Sequence, residues 1–165
     1  YMVEKTLTKV CAEKTPKELL KIRIADIACG SGVFLEEVFS YLQNYCVQWY
    51  LNAGQKEHLE EIGNHVYKLP LSEKKEILCS CIYGIDIDIH AVEVAKFSLL
   101  IKLIEGETAP SVALVTPILP DLSANIFFGN ALVSEKEMQG ILNAESQRLD
   151  LVPFDWKKIN KGDFF

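Results

Sequence analysis

The chain has 165 residues, of which 49% are hydrophobic and 24% charged, as in ordinary globular domains. No apolar run reaches the roughly 18 residues of a membrane span and the start does not resemble a signal peptide, so we expect a cytoplasmic protein without a membrane partner. The net charge of −6 argues against nucleic-acid binding by this segment alone, because DNA affinity depends on Lys and Arg at phosphates.

The five cysteines and three histidines show no spacing typical of metal ligands. Cys79 and Cys81 are separated by one residue, whereas zinc sites usually begin with about two to four between the ligands. We therefore expect reduced, mostly buried thiols and no metal.

Both ends of the chain fall inside predicted elements. Residues 1–7 form the middle of an amphipathic helix with Met2, Val3 and Leu7 as its apolar positions, and residues 162–165 resemble a turn that enters a strand. This pattern predicts an excised piece of a longer protein.

The first strand, turn and helix follow one another closely. Residues 21–27 alternate apolar and polar side chains and are rich in isoleucine, which predicts a strand. Small residues occupy positions 28–32, and helical periodicity begins at Val33. The apolar positions of this helix are Phe34, Leu35, Val38, Phe39 and Leu42.

The stretch from about 43 to 80 is mostly compatible with helix and has polar faces. It is interrupted near residues 52–54 and 69–72, and Ser72 is predicted to cap a short helix. We expect a helical insertion here.

Residues 81–87 form the second predicted strand, and Asp88 can cap the helix after it. That helix is expected to end at Gly106. Its apolar positions are Val92, Ala95, Leu99 and Leu103.

The remaining part alternates loops and short elements. Residues 107–123 contain three prolines and predict a loop with a short extended piece at 112–116. Residues 125–128 predict a third strand, 134–148 a weak helix and 153–156 a turn. Strands that alternate with helices indicate an α/β fold with a parallel sheet.

The turn after the first strand is the best candidate for a ligand site, since parallel sheets bind ligands beyond the carboxyl ends of their strands. A dinucleotide fingerprint would need a third glycine where Leu35 stands, and no phosphate-loop pattern is present. Asp26 before the small-residue turn would repel a pyrophosphate but suits an ammonium group beside a carboxylate, as in S-adenosylmethionine. The alternative is a purely structural turn at Gly30 and Gly32.

The string D-I-A-C-G-S-G-V-F-L at residues 26–35 resembles the first motif of the amino-methyltransferases that act on DNA, usually D-P-A-C-G-S-G-x-F-L. Ile27 stands where proline is usual. The resemblance implies that S-adenosylmethionine is the cofactor and that this motif binds it. The implied residues are Asp26, Ala28, Gly30, Ser31 and Gly32.

Asp86 supplies a carboxylate at the tip of the second strand, where it can accept hydrogen bonds from both ribose hydroxyls. It lies 54 positions after Gly32, which agrees with an insertion between them. Residues 81–88 resemble the second motif of the same enzymes, most closely type I modification subunits and fused restriction-modification polypeptides. The resemblance implies that Asp86 binds the ribose and Ile87 packs on the adenine.

Residues 125–132 resemble the third motif, which implies that Asn130 bonds the adenine edge; a turn asparagine is the alternative. Residues 1–7 are similar to the tail of a further motif beside the methionine part of the cofactor. The Asn-Pro-Pro-Tyr motif that receives a flipped base is absent, and the family places it a few residues beyond Phe165.

We therefore expect residues 1–165 to form a partial S-adenosylmethionine-binding domain with a truncated Rossmann-like α/β fold, a parallel sheet of order 3-2-1 and flanking helices. By resemblance, the parent protein methylates adenine N6 in double-stranded DNA within a restriction-modification system. Target recognition and catalysis would lie beyond Phe165, so this chain is expected to be inactive alone.

Three alternatives stay open: cytosine N4 methylation, protein glutamine methylation and a non-catalytic Rossmann-like binding module. The family pairs its fourth strand with the first. Without the fourth strand, residues 22–27 would form an open edge that promotes self-association.

Overall fold

A parallel three-stranded sheet forms the centre of the computed structural model, which describes residues 2–113, 115–133 and 152–156. Its strands are β1 (Ile24–Asp26), β4 (Ile82–Asp86) and β5 (Ile126–Phe128), in the order β1-β4-β5. Asp26 of β1 pairs with Gly84 of β4. The predicted α/β class and the 3-2-1 order of the parallel strands are thereby confirmed.

The helices that cover the sheet follow the predicted apolar periodicity. They are α1 (Met2–Cys11), α3 (Val33–Asn52) and α5 (Ile89–Ile104). Asp88 accepts a hydrogen bond from the His90 N–H at 2.9 Å, so its predicted role as the cap of α5 is confirmed. The buried core positions on these helices include Val3, Leu7, Leu35, Val38, Phe39, Leu42, Val92, Ala95, Leu99 and Leu103.

Two details of the first 27 residues differ from prediction. Met2 was counted among the apolar helix positions but is 65% exposed. The first strand begins at Ile24 rather than at residue 21, because the Ile22 N–H bonds the Leu19 carbonyl and completes a turn after α2 (Pro16–Leu19). A capping box at Thr15, with Pro16 at the first helical position, starts this short helix.

The prediction of a helical insertion is only partly correct, because the insertion also contains two strands. After α3 and a 3-10 turn at Lys56–His58 comes an antiparallel hairpin of β2 (Glu60–Gly63) and β3 (Val66–Lys68). The helix α4 (Leu71–Cys81) then leads into β4. Ser72 is not its cap, because Pro70 occupies the N-cap position and no side chain bonds there.

A buried ion cluster holds the insertion against the end of α5. Glu107, whose side chain is 1% exposed, pairs with Lys74 at 2.6 Å and also with Lys68. Burial alone would raise the pKa of Glu107, but hydrogen bonds from Lys68, Lys74 and Ser111 outweigh burial and hold this pKa below its usual value. The cluster therefore connects the hairpin, α4 and the segment after α5.

The segment after α5 forms a short helix α6 (Ala109–Ala113), so the extended piece expected at 112–116 is wrong. Pro153 forms a parallel bridge with Asn130, and Phe154 is buried. The helix predicted at 134–148 lies outside the described residues.

The described helices include none with the length and apolar character needed to span a membrane. All five cysteines are free thiols, of which Cys79 alone is half-buried and the others are buried. Within residues 2–113, 115–133 and 152–156, no group of three His, Cys, Asp or Glu side chains could hold a metal ion.

Candidate functional site at the carboxyl edge of the sheet

The predicted site residues come together where the three parallel strands end. Asp26 is the last residue of β1 and Asp86 the last residue of β4, while Asn130 lies two residues after β5. Direct hydrogen bonds join the three segments. The Gly30 N–H donates to Asp86 Oδ2 at 2.8 Å, and the Gly129 N–H donates to the Asp86 carbonyl at 2.8 Å. The structure therefore assembles one site from three separate stretches of sequence.

In the turn from β1 into α3, backbone N–H groups donate to the Asp26 side chain and to the neighbouring strand β4. The Ala28 N–H donates to Asp26 Oδ1 at 3.1 Å, and the Cys29 N–H donates to the Ile85 carbonyl at 3.0 Å. Gly32 then takes a left-handed backbone conformation with φ of 88° as the N-cap of α3. Because glycine has no side chain to cap the helix, the first-turn N–H groups of α3 are available to an anionic ligand group.

Gly32 also lets two helices approach each other closely. A Cβ atom at this position would lie 3.1 Å from the Ala95 Cβ and 3.2 Å from the Ala95 Cα of α5. Gly30 has φ of 53° and no atom within 4 Å of such a Cβ, while Ser31 and Ala28 are exposed. The turn therefore presents open backbone on one side and is tightly packed on the other.

Asp86 uses both carboxylate oxygens within the site. Oδ2 accepts from Gly30, and Oδ1 accepts from the Asp88 N–H at 2.9 Å. Since each carboxylate oxygen can accept a second hydrogen bond, the arrangement still allows Asp86 to receive the two hydroxyls of a ribose.

Apolar side chains lie open to solvent beside these polar groups. Ile87 is 70% exposed directly after Asp86, and Ile27 is 46% exposed directly after Asp26. Exposed isoleucines at the ends of adjacent strands offer flat apolar contact for a ring system. The packing of Ile87 on adenine stays a prediction.

Asn130 has a local structural role. Its Oδ1 accepts from the Leu132 N–H at 3.0 Å, which closes a turn, and its backbone carbonyl accepts from the Phe154 N–H at 3.0 Å. The turn interpretation of this asparagine agrees with these bonds. A contact between the side-chain amide of Asn130 and an adenine edge stays a prediction.

The carboxylates of Asp26 and Asp86 make the electrostatic potential at the turn negative. Burial, together with the smaller effects of the nearby Asp86 and Asp26 charges, raises the pKa of the Cys29 thiol to about 12. The thiol is 6% exposed and stays protonated near neutral pH. Two carboxylates that disfavour a thiolate at this position favour a cation, which fits the positively charged part of the expected cofactor.

Gly84 in β4 is a site residue that the sequence analysis missed. A Cβ there would lie 2.8 Å from Leu35 Cδ1 and 3.0 Å from Cys29 Sγ, so a larger residue would force these buried side chains to shift. A glycine inside a predicted strand often marks such a close approach, and this was the available signal.

A separate cleft of about 190 Å³ lies between α2, α3 and α4 and shares no residue with the predicted cofactor site. Burial raises the pKa of Glu73 in this cleft, although a hydrogen bond from Tyr50 and the nearby His58 act in the opposite direction. The lining residues are Pro16, Lys17, Leu20, Cys46, Tyr50, His58, Glu73, Glu76 and Ile77. The cofactor prediction thus concerns an open sheet edge rather than this cleft.

Comparisons with known proteins identify relatives over most of the chain. Residues 4–149 match the family model described as "MmeI, DNA-methyltransferase domain". The chain is 45% identical over 132 residues, 80% of its length, to the type II restriction enzyme and methyltransferase RM.Eco57I of Escherichia coli. It is 36% identical over 116 residues, 70% of its length, to the putative type II restriction enzyme and methyltransferase RM.MjaORFECS2P of Methanocaldococcus jannaschii.

The matched regions are small parts of these two relatives. The alignment covers 13% of the Escherichia coli protein and 9% of the Methanocaldococcus jannaschii protein. The match to the family model, over residues 4–149, includes the glycine turn and the Asp86 strand end.

Proposed function

This chain belongs to the family of the MmeI DNA-methyltransferase domain, and from that membership we propose that it is the cofactor-binding part of a restriction-modification methyltransferase. We propose S-adenosylmethionine as the cofactor and adenine N6 of double-stranded DNA as the acceptor. The cofactor-binding residues would be Asp26, Ala28, Gly30, Ser31, Gly32, Asp86, Ile87 and Asn130.

The observation that carries this proposal is the convergence of two carboxylates on one glycine turn. Asp26 Oδ1 accepts from the Ala28 N–H at 3.1 Å and Asp86 Oδ2 accepts from the Gly30 N–H at 2.8 Å, so both negative charges lie at the turn and would attract a cation there. S-adenosylmethionine carries an ammonium and a sulfonium group beside a carboxylate. The carboxylate suits the uncapped start of α3, and the ribose suits the open acceptor capacity of Asp86.

The proposed reaction is a direct displacement. When bound, S-adenosylmethionine would supply the methyl group for the exocyclic amine of adenine, and the glycine turn and Asp86 would hold the cofactor. The contribution of this chain is to bind and orient the cofactor. Because its net charge is −6, we propose that other regions of the protein bind the DNA; a cytoplasmic location is also part of the proposal.

Two matched isoleucine variants test the site. Ile87→Glu should weaken S-adenosylmethionine binding by roughly tenfold, since it removes an apolar contact of about 1.5 kcal/mol beside the adenine. Ile62→Glu is the control, because Ile62 lies in the hairpin and is 58% exposed, against 70% for Ile87. Titration calorimetry on the wild type and both variants measures the affinities.

Binding that is equal in all three proteins would contradict the adenine assignment for Ile87. A wild type that shows no binding heat and no shift in melting temperature with S-adenosylmethionine would contradict the proposed function and favour a non-catalytic module.

Self-association through β1 is a further part of the proposal. Among the described residues β1 pairs with β4 and with no strand on its other side. The edge spans three residues rather than the predicted six, which limits its area. We expect a concentration-dependent increase in mass by light scattering; a constant monomer mass would contradict this expectation.

A further inference from the structure

Asp86 is the point at which the three loops of the candidate site meet. Its Oδ2 accepts from the Gly30 N–H, its Oδ1 accepts from the Asp88 N–H, and its carbonyl accepts from the Gly129 N–H. These bonds measure 2.8, 2.9 and 2.8 Å. One residue therefore connects the glycine turn, the start of α5 and the end of β5.

We propose that Asp86 is a positioning residue that sets the glycine turn for the methionine end of the cofactor, in addition to its proposed ribose contact. This inference rests on the proposed function, because it assigns the turn to the amino-acid part of S-adenosylmethionine.

The Gly30 N–H is held by its bond to Asp86, while the Gly30 carbonyl has a weaker contact with Cys29 Sγ at 3.8 Å. A Cβ at Gly30 would have no atom within 4 Å, so packing does not hold this residue from that side. The neighbouring Cys29 N–H bonds the Ile85 carbonyl at 3.0 Å, which anchors the turn one residue earlier. The Gly30 bond goes to a carboxylate, and such charge-assisted bonds are roughly twice as strong as neutral ones.

The geometry has a consequence for ligand binding. If Asp86 contacted the ribose alone, its loss would weaken every ligand with the same ribose by the same factor. Because Asp86 also holds Gly30, removal of its side chain should weaken the binding of a ligand more when the amino-acid part of that ligand contacts the turn. The two ends of the cofactor are then coupled through one side chain.

The experiment compares two ligands that share the adenosine part. S-adenosylhomocysteine has the amino-acid group, whereas 5′-methylthioadenosine lacks it. We expect Asp86→Ala to weaken the binding of 5′-methylthioadenosine by about tenfold, because the ribose contact is lost. The binding of S-adenosylhomocysteine should weaken by roughly a further tenfold, because the glycine turn is no longer held. An equal loss for both ligands in calorimetry would overturn the positioning role.

Asp88→Asn is the matched control. Asp88 is two residues from Asp86 and caps α5, and asparagine is an equally good cap, so the affinity ratio of the two ligands should not change. The conservative Asp86→Asn variant keeps one acceptor oxygen and should show a ratio between wild type and Asp86→Ala. A changed ratio in Asp88→Asn would show that any nearby charge loss produces the effect.

Amide exchange in the wild type tests the bond without any variant. The Gly30 N–H should be protected from hydrogen exchange in the ligand-free protein, although the turn is partly exposed. An unprotected Gly30 amide would overturn the inference even if Asp86→Ala failed to fold. A wild type that binds neither ligand would reject the proposed function, whereas binding with an unchanged ligand ratio would reject only this inference.

Discussion

Gly32→Ala should destabilise the protein through two separable effects. The left-handed conformation with φ of 88° costs a non-glycine residue about 1–2 kcal/mol. The added Cβ would also lie 3.2 Å from the Cα of Ala95, which is backbone that cannot rotate away. Crowding of this kind costs about 1–3 kcal/mol. We therefore expect a loss of about 2–5 kcal/mol in the free energy of unfolding.

Gly54→Ala separates the two effects. Gly54 has φ of 70°, similar to Gly32, but no atom lies within 4 Å of its Cβ position. This variant should therefore lose only the conformational part, about 1–2 kcal/mol. The difference between the two variants measures how closely α3 and α5 approach each other.

Urea unfolding followed by circular dichroism gives both values, provided that the slope of free energy against urea stays constant. In the Gly32→Ala background, Ala95→Gly should recover part of the crowding cost, less about 1 kcal/mol for glycine within a helix. Equal unfolding midpoints for Gly32→Ala and Gly54→Ala would refute the close approach. So would a double variant that is as unstable as the sum of the two single variants.

Two further predictions concern buried titratable groups. Glu107→Gln should destabilise the protein by about 3 kcal/mol in urea unfolding, since it leaves the charges of Lys68 and Lys74 without their buried partner. Because the pKa of Glu107 is lowered, its stabilising contribution should be complete above the ordinary glutamate pKa of about 4.3 and be lost as pH falls through the lower folded value. If the free energy of unfolding did not change with pH in either the wild type or Glu107→Gln, this expectation would be contradicted. A thiol reagent at pH 8 should label Cys79 before Cys29, because Cys29 is buried and has a pKa of about 12. Mass spectrometry measures the order of labelling, and faster labelling of Cys29 would contradict this prediction.

The elements that the sequence predicted well are those with a long or specific pattern. The helix that starts at Val33 shows apolar spacing over several turns, and the strand that ends at Asp86 is followed by a capping aspartate. Such elements form because one of their faces is buried, and the spacing of apolar residues in the sequence shows which face that is. The motif at residues 26–35 also predicted the turn, because its small residues match the backbone conformations found there.

The elements that the sequence analysis missed are short and depend on contacts distant in sequence. The hairpin of β2 and β3 has three or four residues in each strand, and Lys68 at its end is held by Glu107, 39 positions away. Its two-residue turn, Asn64-His65, directly follows Gly63 of β2, and glycine and asparagine are residues that favour such turns, so a signal was present. The bonding of Asp86 to Gly30 could not be read from sequence, because register between β1 and β4 decides which residues meet.

The long insertion leaves the candidate site intact because it joins the sheet at the opposite edge. The helix α3 carries the chain from the carboxyl edge to the amino edge of the sheet, and β4 then returns it. Glu107 follows α5, which runs in the same direction as α3, so the bonds from Lys68 and Lys74 to Glu107 locate the insertion at that amino edge. The distance between the glycine turn and Asp86 is therefore set by the pairing of β1 with β4, not by the 54 positions between Gly32 and Asp86. A separation of about 20 residues, as in compact dinucleotide-binding folds, reflects a short connection and is no requirement of the site itself.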